Sequence, residues 1–160
     1  MKKEKITSSS AVSYLGKVTV KLLKGRKSYK TIQIKNEGTS DFFQILCNSV
    51  IGNNYQSKMP SCIGIFAENE AELTAVRVHY TTASASEKLN NWFAEFTFII
   101  PGTMVLPGTV KKLRLYNSVS EQANPLAIVV LNNDETFELT PGSNLMITWN
   151  LSFQNVDGGV

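Results

Sequence analysis

The chain has 160 residues, 42% of them apolar and 18% charged, and a net charge of +3. That composition suits one domain able to bury an ordinary core without disulfide or metal staples, and it excludes an intrinsically disordered chain. Ten basic residues against one acid leave residues 1–35 at +9, while six against twelve leave the remainder at −6, a polarity suited to docking onto copies of itself or onto an acidic neighbour. The same lysines also serve a second reading, in which they keep the edge of an N-terminal hairpin soluble and unpaired.

The opening Met1-Lys-Lys-Glu-Lys-Ile-Thr-Ser-Ser-Ser10 carries Ser and Thr where a signal peptide needs a continuous apolar stretch. Residues 1–13 are therefore expected to form a flexible basic arm made in the cytosol. Gly16–Leu23 alternates as a strand, Lys24-Gly-Arg-Lys27 supplies a turn, and a second strand over Ser28–Lys35 puts Ile32 and Ile34 inward, which predicts a hairpin. Asn36-Glu-Gly-Thr-Ser40 breaks that pattern. Phe42, Ile45, Leu46, Cys47, Val50 and Ile51 then recur at three- and four-residue intervals, predicting one short helix over Ser40–Ile51 with Thr39 or Ser40 as its cap, Asp41 in its first turn and Gly52 at its end.

Cys62-Ile-Gly-Ile-Phe66 reads as a strand buried on both faces, and Glu68-Asn-Glu-Ala-Glu72 as a solvated acidic loop. Leu73–Thr82 is expected as a strand with Thr74, Val76, Val78 and Tyr80 on one face and Arg77 and His79 on the other, followed by an Ala83–Ser86 linker. Trp92, Ala94, Phe96, Phe98 and Ile100 form the next inward stripe, and Pro101-Gly102 and Pro107-Gly108 bracket a connector. Strands are predicted over Val110–Tyr116, Leu126–Leu131 and Glu135–Leu139, with Asn132-Asn-Asp134 as a turn. The clearest period-two pattern comes last, where Leu145, Ile147, Trp149, Leu151 and Phe153 alternate with Met146, Thr148, Asn150 and Ser152 after a turn at Pro141-Gly142.

Nine strands at roughly ten-residue spacing predict a mainly β chain, an antiparallel β-sandwich of immunoglobulin-like or jelly-roll type over residues 14–155, with a tail at 156–160. Trp149 and Phe96 are expected in the core, on facing sheets. One helix is too few for the crossovers of a doubly wound α/β fold.

Residue chemistry predicts no enzyme. His79 is the sole histidine, no serine sits in a GxSxG context, and Cys47 and Cys62 are expected as small buried side chains, so neither a nucleophile–base pair nor a zinc site is assembled. No cofactor or metal is expected. The carboxylates Glu68, Glu70 and Glu72, and the pair Asp134 and Glu135, fall in turns and read as solvating groups. Nucleic acid is not an expected partner, because only Tyr14 and Tyr29 accompany the ten N-terminal cations, too few aromatics for base stacking. No apolar run approaches the ~18 residues of a membrane helix, so no membrane partner is expected.

Gly16-Lys-Val-Thr-Val20 opening a hairpin, Asn36-Glu-Gly-Thr39 leading into an apolar helix ended by Gly52, Met59-Pro60 before a buried strand, and Pro141-Gly followed by Leu145-Met-Ile-Thr-Trp149 resemble the layout of small accessory virion proteins of tailed bacteriophages. The resemblance spans the whole chain and implies a non-enzymatic component present in many copies on the capsid, or at the tail or its fibres, whose partners are other virion proteins and copies of itself. It implies no site residues. From the charge pattern, Lys2, Lys3, Lys5, Lys24, Arg26 and Lys27 are the candidate partner-binding residues. The alternative is a carbohydrate-binding β-sandwich using Trp92 and Trp149 as stacking platforms.

Overall fold

The structure, a computed structural model, describes residues 11–24, 27–38, 59–88 and 91–156. Its strands are β1 (Ala11–Lys24), β2 (Lys27–Gly38), β3 (Cys62–Phe66), β4 (Val78–His79), β5 (Thr82–Lys88), β6 (Asn91–Ile100), β7 (Gly108–Val110), β8 (Lys112–Tyr116), β9 (Ala127–Val130), β10 (Phe137–Leu139) and β11 (Asn144–Val156). Every pairing is antiparallel, so the protein is mainly β, with a 3-10 turn at Gly102–Met104. The helix expected over Ser40–Ile51 lies outside the described residues, as does Cys47.

Nine strands are hydrogen-bonded in the order β4-β3-β8-β9-β2-β1-β11-β6-β5, and β10 and β7 form a separate pair. The order divides at β2, which pairs with β1 as far as Asn36 and with β9 through Glu37 and Gly38. One strand thus serves two groups. The terminal members, β4 and β5, are consecutive in the chain and only Tyr80 and Thr81 separate them. Tyr80 N–H donates to the Ser61 carbonyl at 3.1 Å and Thr81 N–H to the Thr97 carbonyl at 2.7 Å, so here the chain steps from the side of β3 to the side of β6.

Side-chain alternation drives this layout. Val18, Val20 and Leu22 of β1, Ile32 and Ile34 of β2, Phe98 and Ile100 of β6, and Leu145, Ile147, Trp149 and Leu151 of β11 are buried on one side. They join Ile63 and Ile65 of β3, Leu113 and Leu115 of β8, and Val129 of β9 in one core cluster. Val110, Phe137 and Leu139 bring the β7–β10 pair into the same cluster. β3 is buried throughout, as expected, because Cys62 and Phe66 on its other face pack with Tyr116 and Ala123 in a second, smaller cluster.

One close approach and one hydrogen bond fix the connection between β6 and β11. A Cβ on Gly102 would lie 2.3 Å from the Gly142 carbonyl carbon, and Gly142 adopts φ +86°, a region that glycine enters without steric cost. Asn144 Oδ1 accepts from Gly102 N–H at 2.8 Å, fastening the end of β6 to the start of β11.

Several expectations are corrected. The Ala83–Ser86 linker is part of β5, whose backbone pairs with β6 from Thr82 to Lys88 although its small side chains give no apolar contrast. Leu73–Thr82 is not a continuous strand. Val76 is exposed and Arg77 buried, the reverse of the predicted faces, and regular pairing is confined to Val78 and His79. Val110–Tyr116 is broken at Lys111, whose N–H turns to the Phe66 carbonyl at 2.9 Å. Trp149 and Phe96 do not face each other across the core but are register partners on adjacent strands, with Trp149 fully buried and Phe96 packed at the core's margin. β1 begins at Ala11 because Ala11, Val12 and Ser13 pair with Val156, Asn155 and Gln154, so strand extends into the segments expected as arm and tail.

Candidate functional site

Because alternate residues of a strand point to opposite faces, the buried stripes of β1, β11 and β6 dictate what those strands show on the other side. Register then sets the rows. Lys35, Lys17, Asn150, Glu95 and Ser84 lie side by side across β2, β1, β11, β6 and β5; Gln33, Thr19, Thr148, Thr97 and Thr82 form the next row; Thr31, Lys21, Met146 and Ile99 the one after. Lys17, Lys35, Glu95 and Ser84 are exposed, and Ile99 retains 47% of its accessible surface. The face is polar, basic at β2 and β1, acidic at β6, and narrow-stemmed at its centre.

The hairpin extends this basic edge. Leu22 pairs with Lys30 but Leu23 with Ser28, so one extra residue sits on β2 and the ribbon bends there, bringing Lys27 opposite Lys24 at its end. Lys27 is exposed. Lys30, on the core-facing side of the pairing, reaches past the core's end and donates from Nζ to the Thr136 carbonyl at 3.2 Å. Of the candidate partner-binding residues, Lys24 and Lys27 are therefore brought together by the ribbon, whereas Lys2, Lys3, Lys5 and Arg26 lie outside the described residues. Charge counting along the chain did not single out Lys17, Lys35 or Glu95. The outward parity of each was readable, but their common row depends on the lateral order of strands.

A second polar cluster covers the outer side of β3 and β8. Arg77 is buried, with its guanidinium 3.7 Å from the centroid of the Tyr116 ring. Its Nη1 donates to the Ser118 and Ser120 carbonyls and its Nη2 to the Glu121 carbonyl at 3.3 Å, which holds the β8–β9 loop over Cys62 and Tyr116. Glu72 Oε1 faces Arg77 Nε at 3.8 Å, an ion pair too long for a hydrogen bond. Burial pushes the Glu72 carboxyl up while Arg77 pulls it down, and burial likewise raises Cys62 and Tyr116. Glu70 behaves oppositely: hydrogen bonding from Lys112, then from Arg114, lowers its pKa at an exposed position. The acidic loop is thus only partly a solvating element, since Glu70 and Glu72 are both engaged by cations.

An open cleft of about 500 Å³ lies between Glu68 and Asn69 on one side and Thr109, Lys111, Asn133 and Thr136 on the other. Lys111 Nζ donates to Asn133 Oδ1 at 2.8 Å within it. Its described lining carries no aromatic ring, and the indole of Trp149 is enclosed in the core, so neither offers a platform for sugar stacking; the side chain of Trp92 lies outside the described ones. His79 is exposed, with Nδ1 3.2 Å from the Ser61 carbonyl. Among the described residues, no group of three or more His, Cys, Asp or Glu side chains is placed to hold a metal, and no helix is long and apolar enough to cross a membrane.

No protein-family model, curated protein or solved structure matches the chain.

Proposed function

We propose that the protein is a non-enzymatic structural component of a bacteriophage virion, an auxiliary capsid or tail-associated protein that works through protein–protein contacts with other virion proteins and copies of itself. The observation that carries this reading is the charge-ordered outer face, where Lys35 and Lys17 stand in one row with Glu95 across β11. A surface of that kind steers and orients a partner of complementary charge while leaving the core untouched. The layout resemblance to accessory virion proteins supplies the setting, a particle assembled after synthesis in the host cytoplasm. The finer architecture is read as an antiparallel β-sandwich, supported by the single core shared by the β2-β1-β11-β6 group and the β3-β8-β9 group.

Mass spectrometry of purified virions tests the reading directly. The chain is expected at a stoichiometry of many copies per particle, and its absence from particles made by cells expressing it would reject the proposal. The basic segment is tested by deleting residues 1–10, which precede β1. Incorporation should fall, and the remaining contact should weaken as salt rises, because exposed charges are screened within about 8–10 Å at physiological ionic strength. Unchanged occupancy at both low and high salt would assign docking to the sheet face alone.

A further inference from the structure

We infer that two copies of this chain pack face to face through the outer surface of β2, β1, β11, β6 and β5, related by a two-fold axis running along β11. The inference rests on the assembly reading only for the expectation that copies meet; the geometry comes from the register.

A two-fold axis parallel to β11 and lying between two such faces exchanges left and right while keeping each row level. β1 of one copy then lies over β6 of the other. Lys17 meets Glu95 of the second copy, and by symmetry Glu95 meets Lys17, since both stand in the row of Asn150. Thr19 lies over Thr97, and Thr148 over its own equivalent. In the third row, Lys21 crosses Ile99, an isoleucine 47% exposed whose apolar surface the lysine stem and Met146 can cover. The Lys17 and Glu95 positions are self-complementary in charge, as an isologous contact requires.

The alternative two-fold, across the strands, stacks each strand on its own copy. It sets Lys17 over Lys21 on β1 and leaves Glu95 on the far side of β11 from every lysine, so like charges oppose one another. Charge order therefore selects the axis along β11.

Five strands about 4.8 Å apart and the rise of about 3.4 Å per residue from Lys17 to Leu23 outline a face of roughly 450 Å² per copy. At about 900 Å² over both copies this lies below the roughly 1,200–2,000 Å² of stable interfaces, which makes the contact weak, reversible and salt-sensitive in solution.

Zero-length carbodiimide coupling joins a lysine amine to a carboxylate only where the two touch. Lys17 and Glu95 share a row across β11, so only an amide spanning isotopically light and heavy copies, which cannot form within one chain, reports the proposed contact. It is expected with the full chain at low salt and should decline as salt rises. Lys17→Glu and Glu95→Lys each turn two attractive contacts into two repulsive ones and should weaken self-association about tenfold. Mixing the two variants sets the introduced carboxylate of the first against the introduced amine of the second, and the native Glu95 of the first against the native Lys17 of the second, so association should return. Both positions are exposed, so folding survives either change.

A chain that sediments as a monomer at its highest soluble concentration overturns the inference, and so does a dimer that lacks the cross-link or ignores the reversals. Virions containing a chain that is monomeric in solution and uncross-linked in the particle would leave the virion reading standing without this interface. A cross-linked dimer of a chain absent from virions would do the opposite.

Discussion

Replacing Arg77 by methionine removes a guanidinium that fastens the β8–β9 loop, and the structure sets the size of the effect. Hydrogen bonds from Arg77 to the Ser120 and Glu121 carbonyls are charge-assisted, worth about 1.5 kcal/mol each, and the Ser118 contact at 3.5 Å adds little. The Glu72 pair is long and its carboxylate side chain is 25% exposed, so it contributes about 1 kcal/mol or less. Methionine keeps part of the packing on Tyr116, which limits the loss there. Arg77→Met should therefore cost about 3–4 kcal/mol, a large share of the 5–15 kcal/mol typical of a domain. With a urea m-value of about 2 kcal/mol per molar, the unfolding midpoint should fall by roughly 1.5–2 M. Equilibrium urea unfolding followed by far-UV circular dichroism measures it. The double variant Arg77→Met/Glu72→Gln should show coupling of no more than about 1 kcal/mol, because the ion pair is the minor part. A midpoint within about 0.25 M of wild type would mean that the loop is held by something else and that Arg77 is buried without consequence.

Trp149→Ala should cost about 3–5 kcal/mol, since the indole is fully buried among the stripes of β1, β6 and β11; melting within a degree or two of wild type would contradict its place in the core. Gly102→Ala should be as severe for a different reason, because the new methyl meets Gly142 backbone atoms at 2.3–2.6 Å and two main-chain segments must part; proteolysis of the β6–β7 connection should then accelerate, and an unchanged digestion rate would refute the close approach. Glu72→Gln tests the burial of its carboxyl through pH. Burial raises the folded-state pKa, so the charged form opposes folding once pH passes above the ordinary carboxylate range and costs nothing below it. The variant should therefore match wild type in acid and gain on it as pH rises, and a variant that instead falls behind with rising pH would show that Arg77 outweighs burial.

Legibility in the sequence followed the physical contrast between the two faces of each strand. β1 and β11 carry aliphatic or indole side chains on the buried side and Lys, Thr, Asn or Met on the other, so period two is plain at Lys17–Leu22 and Leu145–Leu151. β5 escaped notice because Thr82, Ala83, Ser84, Ala85 and Ser86 are all exposed; its strand conformation is imposed by backbone pairing with β6, and its side chains record nothing of that. The 73–82 segment misled for the converse reason. Arg77 breaks parity by turning inward to loop carbonyls far along the chain, a long-range contact invisible to a local pattern. Alternation also says which face a residue occupies but not which strand lies beside it, so it turns Trp149 and Phe96 toward the core side without revealing that they are neighbours on adjacent strands.

The same distinction explains how a charge gradient along the chain becomes a gradient across a surface. Residues 1–35 hold most of the basic charge, but sequence order alone leaves open where the acidic remainder falls relative to it. β11 decides this by entering between β1 and β6, two strands far apart in sequence, so that Lys17 and Glu95 share a row with one uncharged residue, Asn150, between them. Glu70 and Glu72 meanwhile are occupied by Lys112, Arg114 and Arg77, beside β3 and β8. On the described outer face of β11 and its neighbours, the lysines of β1 and β2 are left with Glu95 as the acidic counterpart, with β11 between Lys17 and Glu95. The two-fold axis proposed along β11 would set Lys17 of one copy over Glu95 of the other.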